Sequence, residues 1–309
     1  MNHAQSITRL PNDPITRLPD DYPMLRVALI LALALQAPAA GFDSGRAWEH
    51  LRQLVALGPR PAGSPAIDQA RGYIKAQLAA AGVSAVEQIW EDRTPAGPIK
   101  MVNLIVTIPG ASKNRLIIGG HYDTKRFREF RFVGANDGGS SAAFLIELAR
   151  VLKARKNALT IELLFLDGEE AVVEWTGTDN TYGSRHYVAA ARQDGSLADA
   201  KAFILVDMIG DRDLQLTRET RSTQWLDGII RSTANAQKLG SYFAGPPLAL
   251  EDDHVPFLAA GVPSVDLIDF EFPAWHTAGD TLDAVSARSL QIVGDVLLAA
   301  LPQIESKLR

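Results

Sequence analysis

Two glutamates stand side by side, Glu169 and Glu170, at the end of an apolar run in the stretch "DGEEAVVEW", Asp167 to Trp175. Adjacent like charges cost free energy unless something offsets them, and a bound cation does so directly. Four other segments offer side chains of the same kind: "GGHYDTK" (Gly119 to Lys125), "GANDGGSS" (Gly134 to Ser141), "VDMIGD" (Val206 to Asp211) and "WHT" (Trp275 to Thr277). Together they supply His121, Asp137, Glu169, Glu170, Asp207 and His276. Taken singly, an aspartate after a strand is most often a helix cap or turn former, and a lone histidine a satisfied structural residue. The set reads differently. The chain has no cysteine, so any metal must be held by imidazoles and carboxylates, the nitrogen and oxygen set that zinc accepts. In a strand-end turn the two glutamate side chains diverge, so one can bind metal while its neighbour faces a substrate as a proton carrier.

The elements that must position these groups are legible as apolar runs. Residues 101–108, 116–120, 159–166, 203–208 and 264–268 read as strands, mostly buried on both faces. Helical patterns cover 44–57, 66–81, 140–155, 223–239 and 286–307. This alternation predicts a layered α/β domain, and in an open α/β sheet ligands bind outside the carboxyl ends of the strands, where residues distant in sequence meet. All six candidate residues fall at such ends or in the loops that follow them.

At 309 residues with 47% hydrophobic content the chain can bury a large core, and no linker, repeat or composition break divides residues 41–309, so one catalytic domain suffices. The balance of 31 basic against 36 acidic residues, with no basic block, excludes nucleic acid as a partner. The N-terminus reads as processing segments. From Met24 a basic start at Arg26 leads into apolar residues 27–35 and the small-x-small pattern Ala37-Pro38-Ala39, so residues 24–40 are expected to be a signal peptide cleaved near Ala39. The stretch is too short to serve as a stable membrane anchor. Ahead of it "ITRLPNDP" is echoed by "ITRLPDDYP", which suggests that residues 1–23 are an over-extension of the reading frame. The expected protein is therefore secreted or periplasmic, and a monomer.

The order "HYD", "GANDG", "DGEEA", "VDMIGD", "WHT", with "GPRPAGSP" and "NLIVTIPG" before and among them, resembles the zinc exopeptidases of the aminopeptidase type and their relatives, the animal-type glutaminyl cyclases. The likeness runs from about residue 44 to the end. It implies a single-domain three-layer sandwich with a central mixed, mostly parallel sheet flanked by helices. In the aminopeptidase form of the likeness His121, Asp137, Asp207, Glu170 and His276 surround two zincs and Glu169 activates water. In the cyclase form Asp137, Glu170 and His276 hold one zinc and Glu169 shuttles a proton. Two features are similar to the cyclases: a loop inserted between Glu170 and Gly183, with Trp175 in its early part and "YGSRH" at its end, and "EDDHVPFL", where Asp252 stands at a position that aminopeptidases commonly fill with serine. Asp266 occupies a position where the animal members carry histidine. The resemblance thus implies a zinc-dependent glutaminyl-peptide cyclotransferase, acting on peptides with N-terminal glutamine and releasing ammonia. Trp175, Trp275 and Phe272 would bind the substrate, and Asp207 and Asp252 would join Glu169 in a catalytic acidic network. The alternative is a two-zinc aminopeptidase.

Overall fold

Along each central strand, successive side chains enter two different cores. Leu116 and Ile118, Leu163 and Phe165, and Ile204 and Val206 join one large apolar cluster, whereas Ile117, Leu164, Leu166, Phe203 and Leu205 join a smaller one. Residues of strand period 2 that are apolar on both sides produce continuous hydrophobic runs, which is why these segments show no polar alternation.

The computed structural model describes residues 41–309, so the expected reading-frame extension and signal peptide lie outside the described residues. The chain runs α1 (Ser44–Ala56), α2 (Pro65–Ala80), β1 (Ala85–Thr94), β2 (Gly97–Ile108), β3 (Ser112–His121), α3 (Gly139–Ala154), β4 (Leu159–Leu166), α4 (Tyr182–Gln193) and β5 (Ala200–Asp207). It continues through β6 (Arg218–Glu219), α5 (Gln224–Ala236), β7 (Pro247–Leu248), α6 (His254–Ala259), β8 (Ser264–Ile268) and α7 (Ala287–Lys307). The main sheet has the order β1-β2-β4-β3-β5-β8. Strands β4, β3, β5 and β8 are mutually parallel, and β2 runs antiparallel to both β4 and β1. This is the mixed, mostly parallel sheet that was expected. Helices α1, α3, α5 and α7 contribute to the large core on one face, and α4 and α6 cover the other through Tyr187, Val188 and Phe257. Among the described residues no helix is long and apolar enough to cross a membrane.

Local chemistry sets the helix starts. Asp43 caps α1 by accepting from the amides of Gly45 and Arg46, and Ser64 caps α2 by accepting from Ile67, with Pro65 in the first turn. Strand β1 is absent from the expected set because it is the sheet's outer edge. Its residues alternate between half-buried and exposed, so it never forms an apolar run.

Candidate active site

The carboxyl ends of the four parallel strands deliver the predicted residues to one place. His121 ends β3 and Asp207 ends β5, while Glu169 and Glu170 follow β4 and Asp137 precedes α3. His276 comes from the loop after β8. His276 Nε2 lies 3.3 Å from Asp137 Oδ2 and 3.1 Å from Glu170 Oε1. His121 Nε2 lies 3.2 Å from Asp137 Oδ1 and 3.1 Å from Asp207 Oδ1. Asp137 therefore turns one oxygen to each imidazole. Among the described residues, Asp137, Glu170 and His276 form one group with the reach of a metal site, and His121, Asp137 and Asp207 form another.

Two aspartates absent from the sequence-based site hold this arrangement. Asp280 accepts from the amides of Asn136 (2.7 Å) and Asp137 (3.1 Å), fixing the turn that presents Asp137. Asp123 lies 3.4 Å from His121 Nδ1 and accepts from the amides of Glu169 (3.2 Å) and Glu170 (3.3 Å), so it joins the β3 end to the β4 end. Asp123 sits inside "GGHYDTK" and Asp280 three residues beyond "WHT", but the amides each accepts from lie far along the chain. Backbone conformation contributes as well. Gly138 has φ 76°, and a Cβ there would come within 2.3 Å of the Asp123 carbonyl oxygen. His276 itself adopts φ 53°, a left-handed conformation that costs a non-glycine residue about 1–3 kcal/mol. Aromatic packing holds it there: the ring stacks on Trp275 at 4.3 Å and meets the edges of Phe127 and Phe132 at 5.5 and 5.8 Å.

The electrostatics describe a site rich in buried acid. Burial, with Asp137 adding to it, pushes Glu170 up to about 7 despite the nearby His276. Glu169 is raised well above its ordinary value, by burial first and then by Asp252, Glu170 and Asp253, with His121 opposing. Burial followed by the charges of Asp207 and Asp253 lifts Asp252 similarly. Burial lowers the His276 imidazole, but Asp137 and Glu170 outweigh it and draw the ring up to about 10. Glu170 Oε2 is buried without a hydrogen-bond partner. An imidazole drawn into carrying positive charge between carboxylates, beside a buried oxygen that accepts no hydrogen bond, marks a place where a divalent cation would satisfy several groups at once. The nitrogen and oxygen donors fit zinc.

Above the acidic floor lies a cavity of about 410 Å³ that includes Glu169, Asp252, Trp175, Trp275 and Phe270 in its lining. Trp175 and Trp275 are 36% and 39% exposed, as walls of an open pocket rather than core. Phe272 departs from its expected place. It is buried with Met208, Leu250 and Ile268 in a small apolar cluster, because the turn in which the Trp275 amide donates to the Phe272 carbonyl (3.1 Å) tucks Phe272 inward and sends Trp275 outward. Phe270 takes the pocket position and packs on Trp275 at 4.7 Å. Lys125 also lines the cavity, donating to the Ala171 carbonyl at 3.0 Å, with its ammonium 3.8 Å from Glu170 Oε2.

Residues 103–301 match the model of peptidase family M28. The chain belongs to that family. The chain is similar to a glutaminyl-peptide cyclotransferase-like protein of Mus musculus, with 34% identity covering 83% of this chain and 76% of the relative. Its structure superposes on an Acidobacteriales bacterium glutaminyl cyclase with a TM-score of 0.83 at 40% identity, covering 88% of this chain and 98% of the other. A Porphyromonas gingivalis glutaminyl cyclase matches with a TM-score of 0.77 at 27% identity, over 85% and 99% of the two chains. The M28 membership and these cyclase relatives agree with the fold and the kinship expected from the motifs.

Proposed function

We propose that this chain is a zinc-dependent glutaminyl-peptide cyclotransferase that converts N-terminal glutamine to pyroglutamate with release of ammonia. The observation that carries the reading is the loop between Glu170 and Gly183, which brings Trp175 into the same cavity as Glu169, Glu170 and Asp252. That pocket, small and aromatic on its sides with acid at its floor, suits one short amide side chain. The kinship with glutaminyl cyclases over most of the chain supports it.

Asp137, Glu170 and His276 would hold one zinc, whose chemistry when bound is to polarise the γ-amide carbonyl as a Lewis acid. The remaining work belongs to the chain's own groups. Trp175, Trp275 and Phe270 enclose the substrate's methylene stem and bend the α-amine toward the carbonyl carbon of the γ-amide. Glu169 takes a proton from the attacking amine as the new C–N bond forms, and gives a proton to the departing nitrogen as the old C–N bond breaks. A carboxyl raised above its ordinary value by burial suits both halves of that transfer. Asp252, whose carboxyl is pushed up by burial and then by Asp207, lies beside Glu169 in the cavity and steadies the amine side of the tetrahedral intermediate. The nucleophile is already part of the substrate, so proximity supplies much of the rate.

The test is product analysis. A Gln-initiated peptide should yield ammonia and a pyroglutamyl peptide, and a Leu-initiated peptide should survive. Release of free amino acids from both would refute the assignment.

The second reading, a two-zinc aminopeptidase, is favoured by the His121, Asp137, Asp207 cluster. Asp207→Asn separates the two. With one zinc, Asp207 is an acid beside the metal site, and the asparagine variant should keep its metal while turning over more slowly. A fall in metal content from about two per chain, checked by elemental analysis, would promote the peptidase. We further propose export, from the character of residues 24–40, to be tested by N-terminal sequencing of the mature protein.

A further inference from the structure

We propose that Asp179 is the positioning residue for Trp175: its carboxylate gathers three successive backbone amides just ahead of the tryptophan and fixes that wall of the cavity before substrate arrives. The inference rests on the cyclase reading only for its kinetic test.

The segment carrying Trp175 has almost no core to hold it. Residues 173–178 are all exposed, with Val173 at 61%, whereas Asp179 is 5% exposed. Asp179 Oδ1 accepts from the Val172 amide (2.9 Å) and the Tyr182 hydroxyl (2.7 Å), and Oδ2 accepts from the amides of Val173 (2.9 Å) and Glu174 (2.9 Å). A carboxylate that collects consecutive amides dictates the direction in which the next residue leaves the turn. The next residue is Trp175. Burial pushes the Asp179 carboxyl up, but the Tyr182 hydroxyl and the three amides outweigh it, leaving the group below its ordinary value and so an anion at neutral pH.

The far side of the loop is tied independently. Arg185 donates to the carbonyls of Thr178 (2.6 Å) and Asn180 (2.8 Å), and its guanidinium lies 5.0 Å from the centre of the Tyr182 ring. The base is closed by the amides of Thr181 and Tyr182, which donate to the carbonyls of Glu169 and Gly168 at 2.8 Å each. The loop is thus anchored to the backbone of Gly168 and Glu169, and Asp179 is the internal strut that keeps Trp175 at a set distance from it.

The experiment compares Asp179→Asn with wild type in the full chain, alone and combined with Trp175→Ala. Replacing one oxygen by an amide that confronts backbone N–H groups should raise KM for a Gln-initiated peptide ~10-fold while kcat changes less than ~3-fold. On the Trp175→Ala background the same change should move KM less than ~2-fold, since a residue acting through Trp175 has nothing left to position. An equal rise in both backgrounds, or no rise in either, overturns the proposal. Tyr182→Phe removes only one donor and serves where the asparagine variant does not fold; its smaller KM rise should also vanish without Trp175, and a rise that persists counts against it. Amide hydrogen exchange supplies a readout independent of activity. Asp179→Asn should lose protection at residues 172–174 while the amides of Tyr187 and Val188 in α4 keep theirs, and retained protection at 172–174 overturns the strut even if wild type releases no ammonia.

Discussion

At the level of single residues, the proposed function gives the adjacent glutamates two jobs, and the turn after β4 separates their side chains accordingly. Both line the cavity, but Glu170 faces His276 at 3.1 Å, whereas burial and the charge of Asp252 bear on Glu169. Glu169→Gln should therefore retain zinc and lose ~10²–10⁴ in kcat, the size of a lost proton-transfer group. Glu170→Gln should lose metal first. Elemental analysis beside turnover checks both, and reversed phenotypes would reverse the roles. These residues were legible because carboxylates and histidines that end apolar runs stand out. Asp123 and Asp280 did not stand out as site residues, since their work is to accept from amides 46 and 144 residues away, and nothing local in the sequence records such a pairing. Phe272 was misplaced for a related reason: a single turn decides which of Phe270 and Phe272 points into the cavity, and both are equally apolar.

At the level of elements, the site depends on how firmly the strands are registered, and one tie far from the pocket bears on this. Glu305 near the end of α7 accepts from both terminal nitrogens of Arg155, at 3.0 and 2.6 Å, and from the Ala158 amide at 2.9 Å, locking the helix to the start of β4. Burial pushes its carboxyl up, but Arg155 and the amides of Ala158 and Leu159 outweigh it and hold the group below its ordinary 4.5. A depressed folded value means that the stabilisation is complete above about 4.5 and is lost as pH falls through the lower folded value. Glu305→Gln should thus lower Tm at neutral pH by more than it does in acid below the folded value, where protonation of wild type removes most of the difference. An equal loss at both pH values would show that the charge is not what matters. Long apolar strands and helices with Ser or Asp caps were readable at this scale. The edge strand β1, helix α4 and the six-residue α6 were not: β1 is half-exposed, α4 starts after Thr181 without a side-chain cap bond, and α6 is too short for its periodicity to show.

At the level of the whole molecule, a sheet buried on both faces has little freedom except at its strand ends, and that is where the chemistry gathers. The layered class and the meeting of five distant segments followed from this principle, whereas the strand order did not: β4 lies between β2 and β3, and only the packed structure shows that insertion. The same architecture brings together the paired glutamates, two candidate metal groups and the Trp175 loop, and it could serve hydrolysis or cyclisation according to whether water or the substrate's own amine is the nucleophile. The most direct measurement is therefore the fate of solvent oxygen. With a Gln-initiated peptide in water enriched in heavy oxygen, mass spectrometry should find a pyroglutamyl product carrying none of the label, because the ring closes on the α-amine and no water is consumed. Label in a newly formed carboxylate, whether on a deamidated side chain or on a released N-terminal amino acid, would contradict the account.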